Sequence, residues 1–588
     1  MRKKKRIDTG EKYMRKDNRL IYIGFILVLV ITVGLSILRY DMMHTQDVES
    51  DVVASTEVRK EQASSADMKE DLSVYDQDDP DSVVCFYVTV MRGDAGSDTD
   101  HSFAEVNNVV RFVDDSHFSD DVYARALVQV GDESGPCMGM LGYGATQSNA
   151  RIRVRGNSSS VNVQKSYKLD LDEESGLWRG QSNIALNKSA FDVTRIKNKM
   201  YFDLLKTVPE VPSIRTQFVH LYIRDETSGS EVYQDYGFYT QAEVPSRKYL
   251  ANHGFDKNGY LYKAISFNFE RSDVLKTIDD PSYDQAAFET VLSCKGRQDH
   301  SKILNLIDLI NDRSMDINDI IGTYIDRDNY ITWLAYNILM ANVDTTVQNF
   351  YLYSPLNSKK WYFIPWDGDN MLHVKEYEME GLSENYGKYE HGISNYWGVI
   401  LHQRFLKIDT NRKQLEEKVD ELYRTINPES VQAMVDAYNR TVEPYVLSNP
   451  DFYYLGHTFQ EREQILSGLG QEVGDSYLAF KASLHELMPM FEATQDHGNG
   501  NVTLSWTEAY DFDNEDITYH VTVADDPGMR NPVIDTFHTL TQMDLQLPSG
   551  TYYLRVTASS TSGKTAEAID KINVNGVYYP GVIRFEVN

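Results

Sequence analysis

From Leu20 to Leu38 the chain runs LIYIGFILVLVITVGLSIL without a charged residue. That length matches the roughly 20 apolar residues needed to cross a bilayer. Lys and Arg crowd residues 1–19 ahead of it. The pattern predicts a cytoplasmic basic segment at 1–19, a transmembrane helix at 20–38 and a chain exposed outside the cell membrane after Arg39. A cleaved signal peptide fits less well, because no small-x-small site follows in ILRYDMMHTQ. Residues 39–82 are acidic and polar, with too little apolar surface to fold alone, and read as a disordered tether. From Val83 the pattern alternates: VVCFYVTV, ARALVQVG, ARIRVRGN and KSYKLDL are strand candidates separated by turn-rich stretches. At VTRIKNKMYFDLLKTV the apolar spacing becomes helical, and after the strands TQFVHLYI and YGFYTQAE helical texture dominates. A β-rich lobe to about 265 therefore precedes a mostly helical lobe, the two spanning 83–495. Short alternating strands return at 499–588. There Trp506, Tyr519 and the Gly550-x-Tyr552-Tyr553 turn resemble a fibronectin type III sandwich. The expected fold class is α+β, two-lobed, with an appended all-β sandwich.

Charge and composition narrow the chemistry. The net charge of −30 over 588 residues argues against nucleic acid as a partner. Three cysteines, Cys85, Cys137 and Cys294, have no metal or redox spacing. No Walker loop, nucleophile elbow or H-E-x-x-H is present.

The richest stretch is Trp333 to His373. Asp344 is followed five positions later by Asn349, then by two short strands, then by Asp367 and Asp369. An Asp, an Asn and a later Asp after a β-ribbon is the acidic set of protein-kinase sites. There the first Asp orients the accepting hydroxyl, while Asn and the second Asp hold Mg²⁺. Hard cations want such oxygen ligands. The apolar strand WYFIPW delivers both carboxylates at its end, and ionised groups beside such a run need a partner or a site. His373 reads as structural or solvent-exposed.

Upstream, Arg155, Gly156, Asn157, Ser158 and Ser159 lie between two strands, where backbone N–H groups can face phosphates. Lys165 and Lys168 on the next strand point to opposite faces, so one of them is the phosphate lysine, and Lys165 is preferred. Glu243 is a candidate acidic partner for that lysine, or a nucleotide contact. Lys263 in GYLYKA is similarly placed.

In order, RGNSS, KSYKL, NIALN with Asp192 and NKM, FVHLYI, YGFYTQAE, LYKA, and Asp344…Asn349 leading to PWDGD resemble the CotH-type kinase family, the spore-coat protein H relatives. The resemblance implies an atypical protein-kinase-like fold, ATP with Mg²⁺ or Mn²⁺, and transfer to Ser/Thr of surface or spore-coat proteins. It implies a catalytic Asp344, metal binding by Asn349 and Asp367 with Asp369 in reserve, and nucleotide contacts from a KSYKL lysine and Glu243. A non-catalytic scaffold or adhesion protein is the alternative, and AMP transfer or phosphorylation of a small molecule a third reading.

Overall fold

In the computed structural model the described residues are 68–114, 117, 118, 120–380 and 388–588. The basic segment, the apolar run 20–38 and most of the expected tether lie outside them. Two compact units divide at His485/Glu486.

The larger unit begins with a closed barrel. Its strands are β1 (Val83–Met91), β4 (Ala124–Asp132), β6 (Ala150–Arg155), β7 (Ser166–Leu171), β8 (Asn183–Asn187), β9 (Thr216–Asp225) and β10 (Gln234–Glu243). The order is β1-β9-β10-β8-β7-β6-β4, and β4 returns to pair with β1, which leaves no free edge in the ring. The short β5 (Gly135–Pro136) extends β4, while β2 (Phe112–Asp114) and β3 (His117–Phe118) form a separate ribbon. Only β1–β9 is parallel.

Alternation decides which residues fill the barrel. Phe86, Val88, Val90, Ile152, Val154, Tyr167, Leu169, Ile184, Leu186, Val219 and Leu221 belong to one buried cluster. Their neighbours Arg153, Arg155 and Lys168 therefore stand on the outside of β6 and β7.

A second, antiparallel sheet follows, in the order β12-β11-β13-β14: β11 (Tyr260–Ala264), β12 (Leu292–Cys294), β13 (Phe350–Ser354) and β14 (Tyr362–Pro365). The helices that position the site are α1 (Lys197–Leu205), α2 (Arg327–Leu339), α3 (Val374–Glu380), α4 (Pro428–Val446) and α5 (Phe459–Ser483). Asp326 caps α2 by accepting from the Asn329 amide. Every residue of α2 from Asn329 to Leu339 is buried. The Asn329 side chain then clasps the edge strand: it accepts from Phe363 N at 2.7 Å and donates to Phe363 O at 3.1 Å. The outer edge of β14 is thus satisfied and the helix is fixed against it.

Buried ion pairs join barrel and helical part. Lys188, after β8, meets Asp451 at 2.8 Å with both side chains inaccessible, and Asp451 also accepts from Phe238 N at 2.7 Å. Lys197 at the start of α1 meets Glu376 of α3 at 2.6 Å.

The tether expectation needs correction over its described part. Residues 68–82 pack on the larger unit, because their acids meet buried cations. Glu70 reaches His253 at 2.6 Å, and Asp78 reaches Lys206 at 2.5 Å. Ser82 O accepts from the Gln217 side chain at 2.7 Å.

The second unit is all-β. One sheet is β15 (Glu492–Gly498), β16 (Asn501–Trp506) and β19 (Gln542–Gln546). The other runs β18 (Pro532–His538), β17 (Ile517–Ala524), β20 (Gly550–Ser560) and β21 (Thr565–Glu567), with β24 (Ile583–Val587) also on β20. A ribbon of β22 (Lys571–Val574) and β23 (Val577–Pro580) completes it. Trp506 and Tyr519 pack edge to face at 5.5 Å in its core. The unit starts earlier than the expected 499. β15 pairs with β16, but its sequence EATQDHG is polar at nearly every position and carries no strand signature.

Glu243 sits in the network Arg215–Glu243–His253–Glu70, accepting from Arg215 Nε at 2.9 Å and lying 3.0 Å from His253 Nε2. Its pKa is pushed down to about 2: burial opposes ionisation, but the Arg215 and His253 hydrogen bonds outweigh it. A depressed carboxyl contributes stability that is present above its unfolded pKa and lost as pH falls through the folded value. Glu243→Gln should cost about 3–5 kcal/mol at pH 7, because it strands the buried Arg215 charge. Urea unfolding at pH 7 and at pH 3 checks this. The gap between the native protein and the variant should narrow at the lower pH, and an equal gap at both would show that the pair is not what stabilises.

Candidate active site

The acidic segment begins where α2 ends. Four non-glycine residues in it are left-handed: Ala341 (φ 46°), Asn349 (φ 59°), Asp367 (φ 58°) and Leu372 (φ 45°). Such backbone is uncommon, costs energy, and clusters at functional sites. The β13–β14 register pairs Phe350 with Pro365, and Trp366 N donates to Asn349 O at 3.1 Å. Thus the open end of this hairpin brings Asn349 beside the Asp367–Asp369 turn.

Asp344 lies in a single 3-10 turn. Its carboxylate accepts from Gln348 Nε2 at 3.0 Å and from Asn349 Nδ2 at 3.2 Å. Burial pushes its pKa up to about 6, and the Asp367 charge adds to that. Asp369 is held well above the carboxylate range, first by burial and then by Asp367, to which it is also hydrogen-bonded. Two carboxyl groups so close share a proton unless a cation separates them. The Oδ1 atom of Asp367 is buried and has no hydrogen-bond partner. An orphaned carboxylate oxygen beside a second carboxyl and an Asn amide is a donor set that suits a hard divalent cation. Asp344, Asp367 and Asp369 do not converge as a three-carboxylate cage: among the described residues the one such group within 4.8 Å is Asp511, Asp513 and Glu515.

Opposite the acids stand cations. Lys263 pairs with Tyr351 across β11 and β13, so it lies on the face that also carries Trp366. Lys263 Nζ is 5.7 Å from the Trp366 ring, and the Arg155 guanidinium, from the outside of the barrel, is 5.6 Å from it. Burial lowers the Lys263 pKa to about 8, and the nearby Arg155 charge lowers it too. Arg155 is lowered by burial, with Asp367 acting to raise it. Lys168 and Lys295 are likewise lowered chiefly by burial. Arg155, Lys168 and Lys263 are half-buried and Lys295 is exposed, and cations gathered in this way favour an anion among them.

The remaining expected residues separate into groups. Lys168 pairs with Arg153 across β6 and β7, on the outer face with Arg155. Its ammonium meets Asp170 at 2.7 Å. Lys165, the preferred lysine from sequence, instead donates to Ser160 O, and its parity is that of the interior residues Tyr167 and Leu169. Glu243 is on the wrong face to partner Lys168: it registers with Ile184, a barrel-interior residue, whereas Lys168 registers with Ala185. Gly156 is left-handed (φ 83°), and a Cβ there would lie 2.0 Å from Ser159 Oγ. Asn157 precedes the 3-10 turn Ser158–Val161, so RGNSS is a tight turn, and its Asn157 carbonyl accepts from Ser160 Oγ at 2.6 Å. His373 is buried, with Nδ1 2.9 Å from Asn370 O, and burial pulls its pKa down to about 3.

Sequence reasoning matched Asp192 only as part of a motif. Its carboxylate accepts from Thr194 N at 2.8 Å and Lys197 N at 3.0 Å, and its charge helps raise Asp369. Lys197 and Glu376 were missed altogether. No single-residue signal marks an ion pair separated by such a length of chain.

A family model described as CotH kinase protein matches residues 152–469, more than half of the chain. The chain belongs to the CotH kinase family. The inner spore coat protein H of Bacillus subtilis (strain 168) is 23% identical over 303 residues, 51% of this chain and 78% of that protein. Two solved structures are also similar. The Helicobacter pylori proinflammatory kinase CtkA has a TM-score of 0.26 and 11% identity, covering 54% of this chain and 95% of that one. HipA, from the Shewanella oneidensis HipA–HipB–operator complex, has a TM-score of 0.22 and 10% identity, covering 51% and 59%. At such scores neither likeness bears on the chemistry of the site. A kinase-like protein working with nucleotide and a divalent cation is what family membership supports. The cell-membrane location drawn from residues 20–38 is corrected. Among the described residues no helix is long and apolar enough to cross a membrane, and the B. subtilis relative is a spore coat protein. That expectation rested on the apolar run and the basic residues ahead of it.

Gly368 separates the two acids and abuts a ring: an added Cβ would lie 2.3 Å from Tyr201 Cγ. Tyr201 is itself fixed by its hydroxyl, which donates to Asn337 at 2.7 Å. Gly368→Ala should therefore push the turn off Tyr201, at a stability cost of about 1–3 kcal/mol. Affinity for Mg²⁺–nucleotide should fall at least about tenfold, more than that stability loss explains. Calorimetric titration beside thermal unfolding separates the two effects. Unchanged affinity would show that the Asp367–Asp369 turn does not hold the cation.

Proposed function

We propose that this chain is an atypical protein kinase that moves the γ-phosphoryl group of ATP to a Ser or Thr hydroxyl of a protein. The observation that carries the reading is the Asp367–Asp369 acid pair, with its orphaned Oδ1, beside Arg155 and Lys263, which both lie over the Trp366 ring. A divalent cation bound between those acids supplies charge neutralisation for the phosphates. Asn349, Asp367 and Asp369 are the groups that would hold it. Arg155 and Lys263 neutralise phosphate oxygens, with Lys168 behind them on the same barrel face. The Gly156 turn lets the backbone approach closely.

Asp344 orients the acceptor. Gln348 and Asn349 hold its carboxylate in place, and its pKa of about 6 lets it accept a proton near neutrality. As the acceptor oxygen bonds to the γ-phosphorus, the bond to the ADP oxygen breaks and the hydroxyl proton is taken up at Asp344. Spore coat components are the acceptor class suggested by the name of the B. subtilis relative. The C-terminal all-β unit is read as a fibronectin type III-like module that binds the acceptor or its surroundings.

Incubation with γ-labelled and, separately, α-labelled ATP tests the reaction. Label from the γ position alone, recovered as phosphoserine or phosphothreonine, is expected. Label from the α position would mean AMP transfer, and none from either would leave a scaffold. Asp344→Asn should retain Mg²⁺–ATP affinity while transfer falls by ~10²–10⁴, the usual contribution of a general base. Transfer at the native rate in that variant would remove Asp344 from the mechanism.

A further inference from the structure

On another side of the barrel, separated from β6 and β7 by β8 one way and by β4 the other, a cavity of about 550 Å³ opens between the outer faces of β1, β9 and β10 and helix α4. Its lining is unlike that of the cleft. It carries Asp81, Glu133 and Asp235, with the rings of His220, Tyr222 and Tyr445, and no Lys or Arg.

The polar groups are organised. His220 Nε2 lies 2.7 Å from Asp235 Oδ1, and the Tyr222 hydroxyl lies 3.2 Å from His220 Nδ1. That arrangement suits a ring that donates to Asp235 and accepts from Tyr222, leaving Asp235 as a charged carboxylate. Asp235 is further fixed by the Gly237 amide at 2.7 Å. Tyr445, from α4, donates to Glu133 at 3.0 Å and packs edge-on against the His220 ring at 5.2 Å. Tyr222 stacks on Tyr87 at 5.0 Å. Thus both aromatic walls are held from behind.

We propose that this cavity binds an organic cation, a primary ammonium on an apolar stem, as carried by a lysine side chain or a polyamine. Carboxylates supply the charge and tyrosine faces the cation–π surface. A bare metal ion fits poorly. The cavity is much larger than one ion, and its carboxylates are not among the described groups whose oxygens come within 4.8 Å of one another. A nucleotide is excluded by like charge. The site is separate from the phosphate-transfer cleft, and the inference stands whether or not that cleft is active.

Calorimetric titration of the full chain at low salt, with spermidine and separately with acetylated tetralysine amide, tests this. Saturable binding is expected, weakened about tenfold or more by Asp235→Asn and by Glu133→Gln, since each removes a charged hydrogen-bond acceptor. Glu174→Gln, which removes the same charge from an exposed site elsewhere, should leave it unchanged. Mg²⁺–ATP affinity should be unaltered in all three. Binding of spermidine but not the peptide assigns a free polyamine, and tighter peptide binding assigns a protein lysine. Glu133 is on the exposed rim, so Glu133→Gln decides alone if Asp235→Asn fails to fold. No saturable binding of either probe, or equal loss in Glu174→Gln, overturns the proposal.

Discussion

The structure turns on one electrostatic opposition: half-buried acids on the Asp367–Asp369 turn beside half-buried cations, Arg155 and Lys263, that lie over the Trp366 ring. Neither side is comfortable alone. Burial raises the Asp369 pKa and lowers those of Lys263 and Arg155, each in the direction of losing its charge. The rest of the larger unit serves to hold these groups where they would not choose to be. The barrel does it by closure, since alternation fills its inside with apolar residues and forces Arg153, Arg155 and Lys168 outward. The second sheet does it by register, because Lys263, Tyr351 and Trp366 must share a face once Phe350 pairs with Pro365.

The ion pairs elsewhere in the unit behave differently, and the contrast is instructive. Lys197–Glu376, Lys188–Asp451 and Arg215–Glu243 each close at 2.5–2.8 Å, and Glu243 also meets His253. Such pairs fix geometry and leave little to offer a ligand. In the cleft the matching is incomplete: Asp367 Oδ1 has no partner, and Arg155 touches Trp366 rather than a carboxylate. Incomplete matching beside left-handed backbone at Asn349 and Asp367 is the pattern expected of a functional site.

Much of this was legible in the sequence. The spacing of Asn349 and Asp367 and the strand WYFIPW anticipated the hairpin that brings those two residues together, because its length is nearly fixed. The switch from alternating to helical spacing did not mark the second sheet, because β11, inside the expected β-rich lobe, pairs with β13 far downstream. What failed did so for a common reason: it depended on which face of a strand looks inward. Lys165 and Lys168 are distinguishable only through the barrel register, and that register also removes Glu243 from the lysine. Ring closure itself, through β1 and β4, leaves no mark in the local pattern. Residues 68–82 looked disordered because their anchors, His253, Lys206 and Gln217, lie more than a hundred residues downstream. Strand β15 was hidden by its polar residues.

Charge distribution sets a last constraint on how the cleft can be used. A chain of net charge −30 repels a free polyanion at long range, although screening confines that repulsion to about 8 Å at physiological salt. On the proposed reading Arg155 and Lys263 attract phosphate, while the neighbouring carboxylates Asp344, Asp367 and Asp369 oppose it. The balance tips only when the acids are neutralised. Free ATP should therefore be a poor ligand and its divalent-cation complex a good one. On the proposed reading, the same acids that repel the nucleotide alone become its anchor once a cation lies between them.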